Sequence, residues 1–176
     1  DVTVDFDRPY RNSQVEAAVL EVPGIEHVEG WQNARAEILA ADDTPEADLI
    51  IFGPPVGSDL VHPDMTARRW LEPGDHKGIV LADSIRTDYP ELQPGDTLRI
   101  SVQGERAEAW TVLGFFRFTD MIGVQLAYTD YDTMAGVLNL PNQTTSFRLV
   151  ADAETLDEQQ AVSSALDEHL RALDFR

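Results

Sequence analysis

The sequence predicts an α+β fold: a split β-α-β subdomain formed by both ends of the chain, with a β-rich subdomain inserted between them. Three observations predict it. A β-α-β pattern opens the chain, a β-α pattern closes it, and the segment between them consists of short apolar runs separated by glycine and proline turns. Each end carries an apolar sheet face and an apolar helix stripe, and these surfaces can cover each other.

The opening pattern begins with a half-buried strand and continues into a helix. Apolar and polar residues alternate over positions 2–6, which is the period of a strand with one face in the core. Ser13 followed by Glu16 predicts a capping box at the start of the helix, and Pro23-Gly24 ends it. The helix residues predicted to face the core are Val15, Val19 and Val22.

Alternation returns over residues 25–39 and predicts the second strand. Trp31 falls on the polar side of this strand, and we therefore interpret it as a candidate contact residue for a partner. The residues predicted to face the core are Val28, Ala34, Ala36 and Ile38.

The end of the chain supplies one further strand, "TSFRLV", and the last helix. Thr155 and Glu158 form a second capping box at the start of that helix. The predicted buried stripe of the helix is Val162, Leu166, Leu170 and Leu173.

The middle of the chain has the texture of a small sheet. The run "ADLIIFG" predicts a strand that stops at Pro54-Pro55, and a hairpin turns at residues 103–105. Residues 110–118, in the second arm of the hairpin, are apolar in both phases of the strand. This arm must therefore be buried on both faces and lie at the centre of the β-rich part.

These patterns set the predicted domain limits. We assign residues 1–50 and 140–176 to the α/β subdomain and residues 51–139 to the β-rich insert.

The tripeptide Pro-Gly-Asp occurs twice, at residues 73–75 and 94–96, each time ahead of an apolar run. Proline and glycine favour a tight turn, and the aspartate can cap it. Neither copy has the several oxygen ligands at fixed spacing that a calcium loop requires. We therefore predict two turns that lead the chain into strands.

The charge and composition of the chain exclude several classes of function. The chain has 13 basic and 32 acidic residues, a formal net charge of −19, so we expect no nucleic acid partner. The sole lysine, Lys77, lies outside any Gly-Lys-Ser/Thr context, which excludes a phosphate-binding P-loop. The absence of cysteine removes disulfides, thiolate nucleophiles and zinc–sulfur sites.

No catalytic, metal or cofactor site is predicted, and we expect a protein that is not an enzyme. His62 and His76 could meet Asp64 or Asp75 around a metal ion, but solvated loop histidines are the commoner case. An acid pair for hydrolysis is an alternative that no spacing selects. Asp130 is well placed to cap the short helix that follows it.

A second interpretation is a binding module. A secreted or periplasmic protein of this kind would recognise a peptide or a carbohydrate through Trp31 and the loop of Pro54 and Pro55.

The order of the segments resembles the extracytoplasmic domain of FtsX-like ABC transporter permeases, the group that includes the MacB-type proteins. Four phrases carry the resemblance: "ARRWLEPGD", "KGIVLADSI", "QPGDTLRISVQG" and "WTVLGFF". They stand where that family has a Gly-Arg phrase, an apolar strand, a Pro-Gly-Asp/Lys turn and a Val-Val-Gly hairpin arm. Ala67 replaces the Gly before the Arg, and Leu113 replaces the second Val; both changes are conservative for packing.

The resemblance implies a domain placed between the first two membrane helices of a permease, with a Porter-like α/β part and an inserted β-rich part. It implies a location at the cell membrane, with this domain outside the cytoplasm. ATP would be hydrolysed by a partner ATP-binding subunit, and an extracytoplasmic protein partner is a further expectation. The domain would transmit conformational change to export, lipoprotein release or the activation of a cell-wall enzyme.

We expect the isolated domain to be a monomer in dilute solution, because two copies that each carry a charge of −19 repel each other. The full permease is expected to be dimeric. Light scattering at low ionic strength measures the mass of the isolated domain, and a stable dimer under these conditions would contradict the expectation.

Overall fold

The fold is mixed α+β, as the sequence predicts, and the computed structural model describes residues 1–118 and 123–176. No helix in the described part of the chain is long and apolar enough to cross a membrane. The elements in chain order are β1 (Val2–Arg11), α1 (Asn12–Leu20), β2 (Ile25–Leu39), β3 (Pro45–Gly53), β4 (Met65–Arg68), β5 (Gly78–Ala82), β6 (Thr97–Val102), β7 (Glu108–Phe116), β8 (Gln125–Tyr128), α2 (Tyr131–Leu138), β9 (Gln143–Ala151) and α3 (Leu156–Ala172).

The chain divides into two compact units: residues 1–32 with 138–176, and residues 33–137. We call them the terminal unit and the β-rich unit. The predicted division is 1–50 with 140–176 against 51–139, so the first boundary lies earlier in the structure, after residue 32 instead of residue 50. The reason is that the second half of β2 pairs with β6, and β3 pairs with β8, so these residues join the β-rich unit.

The terminal unit is built around β9, which lies between β1 and β2 and is antiparallel to both. Helix α1 connects β1 to β2 and packs with α3. The core of this unit joins both helices to the sheet, and the predicted residues Val15, Val19 and Val22, in α1 and just after it, are buried in it together with Val28 of β2. The other predicted core-facing residues of β2 are also buried but belong to the β-rich unit: Ala34, Ala36 and Ile38. The largest fully buried side chains from β9 are Phe147 and Leu149.

Two predictions about the helices are wrong and one is confirmed. The capping box at Ser13 does not form, because β1 runs directly into α1 and the helix begins at Asn12 without a side-chain cap. The second capping box is present: the backbone N–H of Glu158 donates to Oγ1 of Thr155 at 3.2 Å. Leu173 is 48% exposed instead of buried, because α3 ends one residue before it.

The β-rich unit closes its strand pairing into a circuit. Strand β2 is followed around the circuit by β3, β8, β5, β7 and β6, which returns to β2. The β3–β8 and β5–β7 pairs are parallel, and β8–β5, β7–β6 and β6–β2 are antiparallel. Each of these six strands thus has a partner on both sides, and β4 pairs with β7 as a further partner.

Strand β7 has the central position that its sequence predicts. It pairs with β4, β5 and β6, and the predicted β6–β7 hairpin is confirmed. Its residues are buried from both faces: Trp110, Val112, Phe115 and Phe116 are all at most 3% exposed.

The two predicted caps differ in the structure, and this difference is testable. We expect Thr155→Ala to lower the free energy of unfolding by about 1 kcal/mol, because it removes the acceptor for a backbone N–H at the start of α3. Ser13→Ala is the matched control and should change it by a few tenths of a kcal/mol at most, since Ser13 caps nothing. Urea unfolding followed by circular dichroism measures both. Equal effects of the two substitutions would contradict the assignment of the caps.

Candidate functional site

The two Pro-Gly-Asp segments fold as matching turns, which confirms the prediction. In the first, the N–H of Asp75 donates to the carbonyl of Glu72 at 3.2 Å, and Oδ2 of Asp75 accepts from the N–H of Glu72 at 2.8 Å. In the second, Asp96 and Gln93 make the same two bonds at 3.1 and 2.8 Å. The glycine of each turn has a positive φ, 88° and 95°, which a side chain would disfavour. The turns lead into β5 and β6.

The first turn carries an additional ion pair. Nη1 and Nη2 of Arg69 donate to the two carboxylate oxygens of Asp75, each at 2.8 Å. This bidentate pair holds the pKa of Asp75 below its ordinary value, first through the Arg69 hydrogen bonds and then through the N–H of Glu72. The Asp75 side chain is only 14% exposed. Asp75 is therefore committed to the turn and is not available to a metal ion.

No cluster that could hold a metal ion occurs among residues 1–118 and 123–176. Two of the four histidines pair with carboxylates: His27 contacts Glu29 at 3.0 Å, and His169 contacts Glu21 at 2.8 Å. The second pair links α3 to the end of α1.

Trp31 is buried, although the sequence pattern places it on the polar side of β2 and favours a contact with a partner. The side chain is covered because the guanidinium of Arg148, on β9, stacks over the indole ring at 4.7 Å. The indole Nε1 donates to Oε1 of Glu29 at 2.8 Å. The one polar group of the indole ring is therefore hydrogen-bonded within the terminal unit.

The loop of Pro54 and Pro55 lies in the β-rich unit, whereas Trp31 belongs to the terminal unit. Pro54 is buried, and its carbonyl accepts from the N–H of Tyr131 at 2.9 Å. Pro55 is half-buried, and the next residue, Val56, is 37% exposed. Asp130 is buried as well; its carboxylate accepts from the N–H of Thr133 at 2.9 Å, which confirms it as the cap of α2.

A cleft of about 480 Å³ opens in the β-rich unit between the β6–β7 hairpin, residues 76–77 and α2. We call it the Trp110 cleft. Its buried apolar lining is Ile100, Val102 and Trp110, and its charged lining is His76, Lys77, Glu105, Arg106, Glu108 and Asp132. Lys77 forms an ion pair with Glu108, and this hydrogen bond lowers the pKa of Glu108.

Sequence reasoning missed the Trp110 cleft and the docking of the last residues. Lys77 and Glu108 are far apart in the chain, and no spacing links them. At the end of the chain, the carbonyl of Arg176 accepts from the N–H of Asp7 at 2.9 Å, and Phe175 packs edge-on against Tyr10 with ring centroids 4.9 Å apart. In the sequence, the isolated aromatic residue at position 175 is the one signal that points to this contact.

Two solved structures have a similar fold. The chain matches the periplasmic region of MacB from Actinobacillus actinomycetemcomitans with a TM-score of 0.63 and 15% identity, over 97% of this chain and 82% of that one. It matches the extracellular domain of the ABC-type transporter YknZ from Gram-positive bacteria with a TM-score of 0.62 and 12% identity, over 99% and 94%. The fold is that of a MacB-like periplasmic domain.

The resemblance noted in the sequence is thus confirmed at the level of the MacB-like fold. No family model matches the sequence, and no curated protein matches it either. At 12–15% identity the likeness is carried by the arrangement of the elements and not by shared side chains.

Asp75→Asn should lower the free energy of unfolding at pH 7 by about 1–2 kcal/mol, the value of charged hydrogen bonds discounted for the exposure of Arg69. The pKa of Asp75 is lower in the folded state than its unfolded value of 3.8. The stability that the Asp75 carboxylate contributes is therefore fully present above pH 3.8, and it is lost as the pH falls through the folded-state pKa. The difference from wild type should therefore shrink toward acid pH in urea titrations.

The matched control is Asp96→Asn, in the second turn, because Asp96 forms no ion pair within the described residues. We expect it to change the free energy of unfolding much less than Asp75→Asn. A difference that stays constant from neutral to acid pH would show that the Arg69–Asp75 pair does not contribute as a charged pair.

Proposed function

We propose that this chain is a non-catalytic extracytoplasmic domain of an ABC transporter permease. The observation that carries the proposal is the likeness in fold, which extends over 97% of the chain for the periplasmic region of MacB and 99% for the extracellular domain of YknZ. A match of this extent involves both units of the chain and not one shared motif.

We assign the two units to the two parts that such a domain has. The terminal unit is the Porter-like subdomain, and the arrangement of β1, α1 and β2 around β9 supports its description as a split β-α-β unit. The β-rich unit, residues 33–137, is the inserted subdomain. In this assignment the insert begins within β2, earlier than the sequence predicts.

The domain couples ATP hydrolysis to events outside the membrane. The permease is anchored in the cell membrane as a dimer, and its ATP-binding subunit hydrolyses ATP on the cytoplasmic side. Movement of the membrane helices displaces this domain and drives export, the release of a lipoprotein or the activation of a cell-wall enzyme. A soft domain would absorb the displacement, so the domain must be stiff.

Features of each unit support this stiffness. In the terminal unit, residues 175–176 are bound to β1, so the end of the last helix is tied to the first strand. In the β-rich unit, the closed circuit of strands resists separation, because dividing it into two parts breaks two rows of backbone hydrogen bonds at once.

The loop after β3 is the proposed contact for an extracytoplasmic protein partner. Pro54 fixes the loop against α2, while Pro55 is half-buried and Val56 is exposed. We assign Trp31 no direct contact with the partner, since it is buried under Arg148.

The location is testable in cells that express the full-length permease with its ATP-binding subunit. This chain contains no cysteine, and Ser163 is exposed on α3. With other cysteines removed, Ser163→Cys should react with a membrane-impermeant maleimide in intact cells or protoplasts. A cysteine on the ATP-binding subunit is the control and should react only after lysis. Reaction of Cys at position 163 only after lysis would overturn the proposal.

The stiffness is testable by hydrogen exchange on the intact transporter. We expect the amides of Trp110–Phe116 in β7 to be among the slowest to exchange, because they pair with three strands and are buried. The exposed Val56, Gly57 and Asp59, in the loop after β3, provide the fast reference. Exchange in β7 as fast as in this loop would contradict a mechanical role for the β-rich unit.

A further inference from the structure

Strand β1 forms an edge of the sheet in the terminal unit. It pairs with β9 in regular register over residues 2–5, and no other strand pairs with it among residues 1–118 and 123–176. No backbone hydrogen bond between described residues reaches the outer side of β1 over the same four residues. In an antiparallel pair, alternate residues direct their N–H and C=O groups away from the partner strand. The groups so directed in the first half of β1 are open to a further strand.

The second half of the same edge is closed. The N–H of Asp7 donates to the carbonyl of Arg176 at 2.9 Å, and the N–H of Arg176 donates to the hydroxyl of Tyr10 at 3.0 Å. Pro9 lies within the register shift between Asp5 and Tyr10 and has no N–H to offer. A proline, an irregular register and a covering segment all protect a sheet edge from pairing. Their confinement to the second half of β1 leaves the first half as the available edge.

A groove of about 650 Å³ adjoins the open half of this edge. It lies between the start of β1, the end of β9 and the first half of α3, and its lining residues are all half-buried or exposed. The leucines that fix α3 to the core, Leu166 and Leu170, lie in the second half of the helix. Leu156, at the start of α3, is 69% exposed. The accessible apolar lining of the groove is Val2, Ala151, Ala153 and Leu156.

The side chains of β1 differ between the two faces of the sheet. Val2 and Val4 pack against the core beneath the helices, whereas Thr3 and Asp5 are exposed on the other face. Side chains directly opposite each other on adjacent strands share a face of the sheet. A strand added to β1 would therefore place alternate side chains at the groove and the others beside Asp5.

The exposed face of this edge carries negative charge. Asp5 and Asp7 are exposed, and neither forms an ion pair in the part of the chain that the structure describes. Arg148, which lies opposite Thr3 on β9, stacks over Trp31 on β2 and so leans away from the edge. Opposite charges on directly opposed residues stabilise strand pairing, and like charges destabilise it. The edge therefore favours a strand with basic residues on this face.

We propose that the first half of β1 and the adjoining groove bind an extended segment of a partner protein in which basic and apolar residues alternate. The backbone of the segment pairs with residues 2–5, its apolar side chains enter the groove beside Leu156, and a lysine or arginine faces Asp5. A second copy of this chain is disfavoured as the occupant, because it brings the same acidic strand and a further charge of −19 to the edge. This binding site is independent of the proposed coupling role.

The probe is the peptide acetyl-Lys-Val-Lys-Val-Lys-amide, titrated into the ¹⁵N-labelled chain at low ionic strength. The backbone amide signals of residues 2–5 report on the edge. One control peptide, acetyl-Glu-Val-Glu-Val-Glu-amide, reverses the charge. A second control is the lysine peptide N-methylated at its three central residues, which keeps every charge and side chain but lacks the central backbone donors.

The lysine peptide should shift the amide signals of residues 2–5 in a saturable way and slow the hydrogen exchange of the outward-facing amides among them. The glutamate peptide should bind at least about tenfold more weakly, because it places like charges opposite Asp5. The N-methylated peptide should also lose about tenfold or more, because it cannot donate to the open carbonyl groups of β1.

Substitutions in the chain test the two parts of the site. Asp5→Lys should weaken binding of the lysine peptide about threefold or more, whereas Asp59→Lys, at an exposed position of the β-rich unit, makes the same change in net charge and should bind as wild type does. Leu156→Gln should weaken binding about threefold or more by removing apolar contact. Its matched control is Leu20→Gln, since Leu20 is 51% exposed and lies outside the groove.

The proposal fails if the lysine peptide shifts none of the amides of residues 2–5 at millimolar concentration. Equal binding of the N-methylated peptide would reduce the interaction to attraction between charges without strand pairing, and equal effects of Asp5→Lys and Asp59→Lys would reduce it to net charge. Equal effects of Leu156→Gln and Leu20→Gln would remove the groove from the site. Shifts at residues 2–5 that depend on protein concentration without peptide would assign the edge to a second copy.

Discussion

The pairing of β9 with β1 on one side and β2 on the other is the constraint on which the terminal unit depends. Phe147 is opposite Val4 in one pairing and opposite Gly30 in the other, and it is fully buried. A slip of one residue in either register would turn Phe147 and Leu149 away from the helices. The two ends of the chain are therefore held together by one register, and α1 and α3 cover the face that this register creates.

In the β-rich unit, β7 has the corresponding role. Its apolar residues occupy both phases, and they can be buried only if other elements cover both of its faces. Three strands pair with β7, and the pairing continues into a closed circuit in which each strand has a partner on both sides. The hairpin that delivers β7 also forms one wall of the Trp110 cleft, so the element that stabilises the unit also shapes its candidate site.

The few basic side chains of this acidic protein are used locally. Arg69 fixes a turn through Asp75, Arg148 covers Trp31, and Lys77 pairs with Glu108 at the cleft. Each of these cations organises a segment of structure, and none lies in an arrangement typical of catalysis. The proposed function accordingly rests on the likeness in fold, which does not depend on these side chains.

The sequence by itself determined the features that depend on neighbouring residues: the period of α1 and β2, the double burial of β7, the cap at Thr155 and the two Pro-Gly-Asp turns. Tertiary structure decided what depends on distant ones. Trp31 is buried because Arg148 arrives from β9, and Lys77 meets Glu108 only when the hairpin folds over residues 76–77. The limit of the β-rich unit falls inside β2 because β6 pairs with its second half. Periodicity reports one element at a time, whereas burial is decided by whichever elements pack against it.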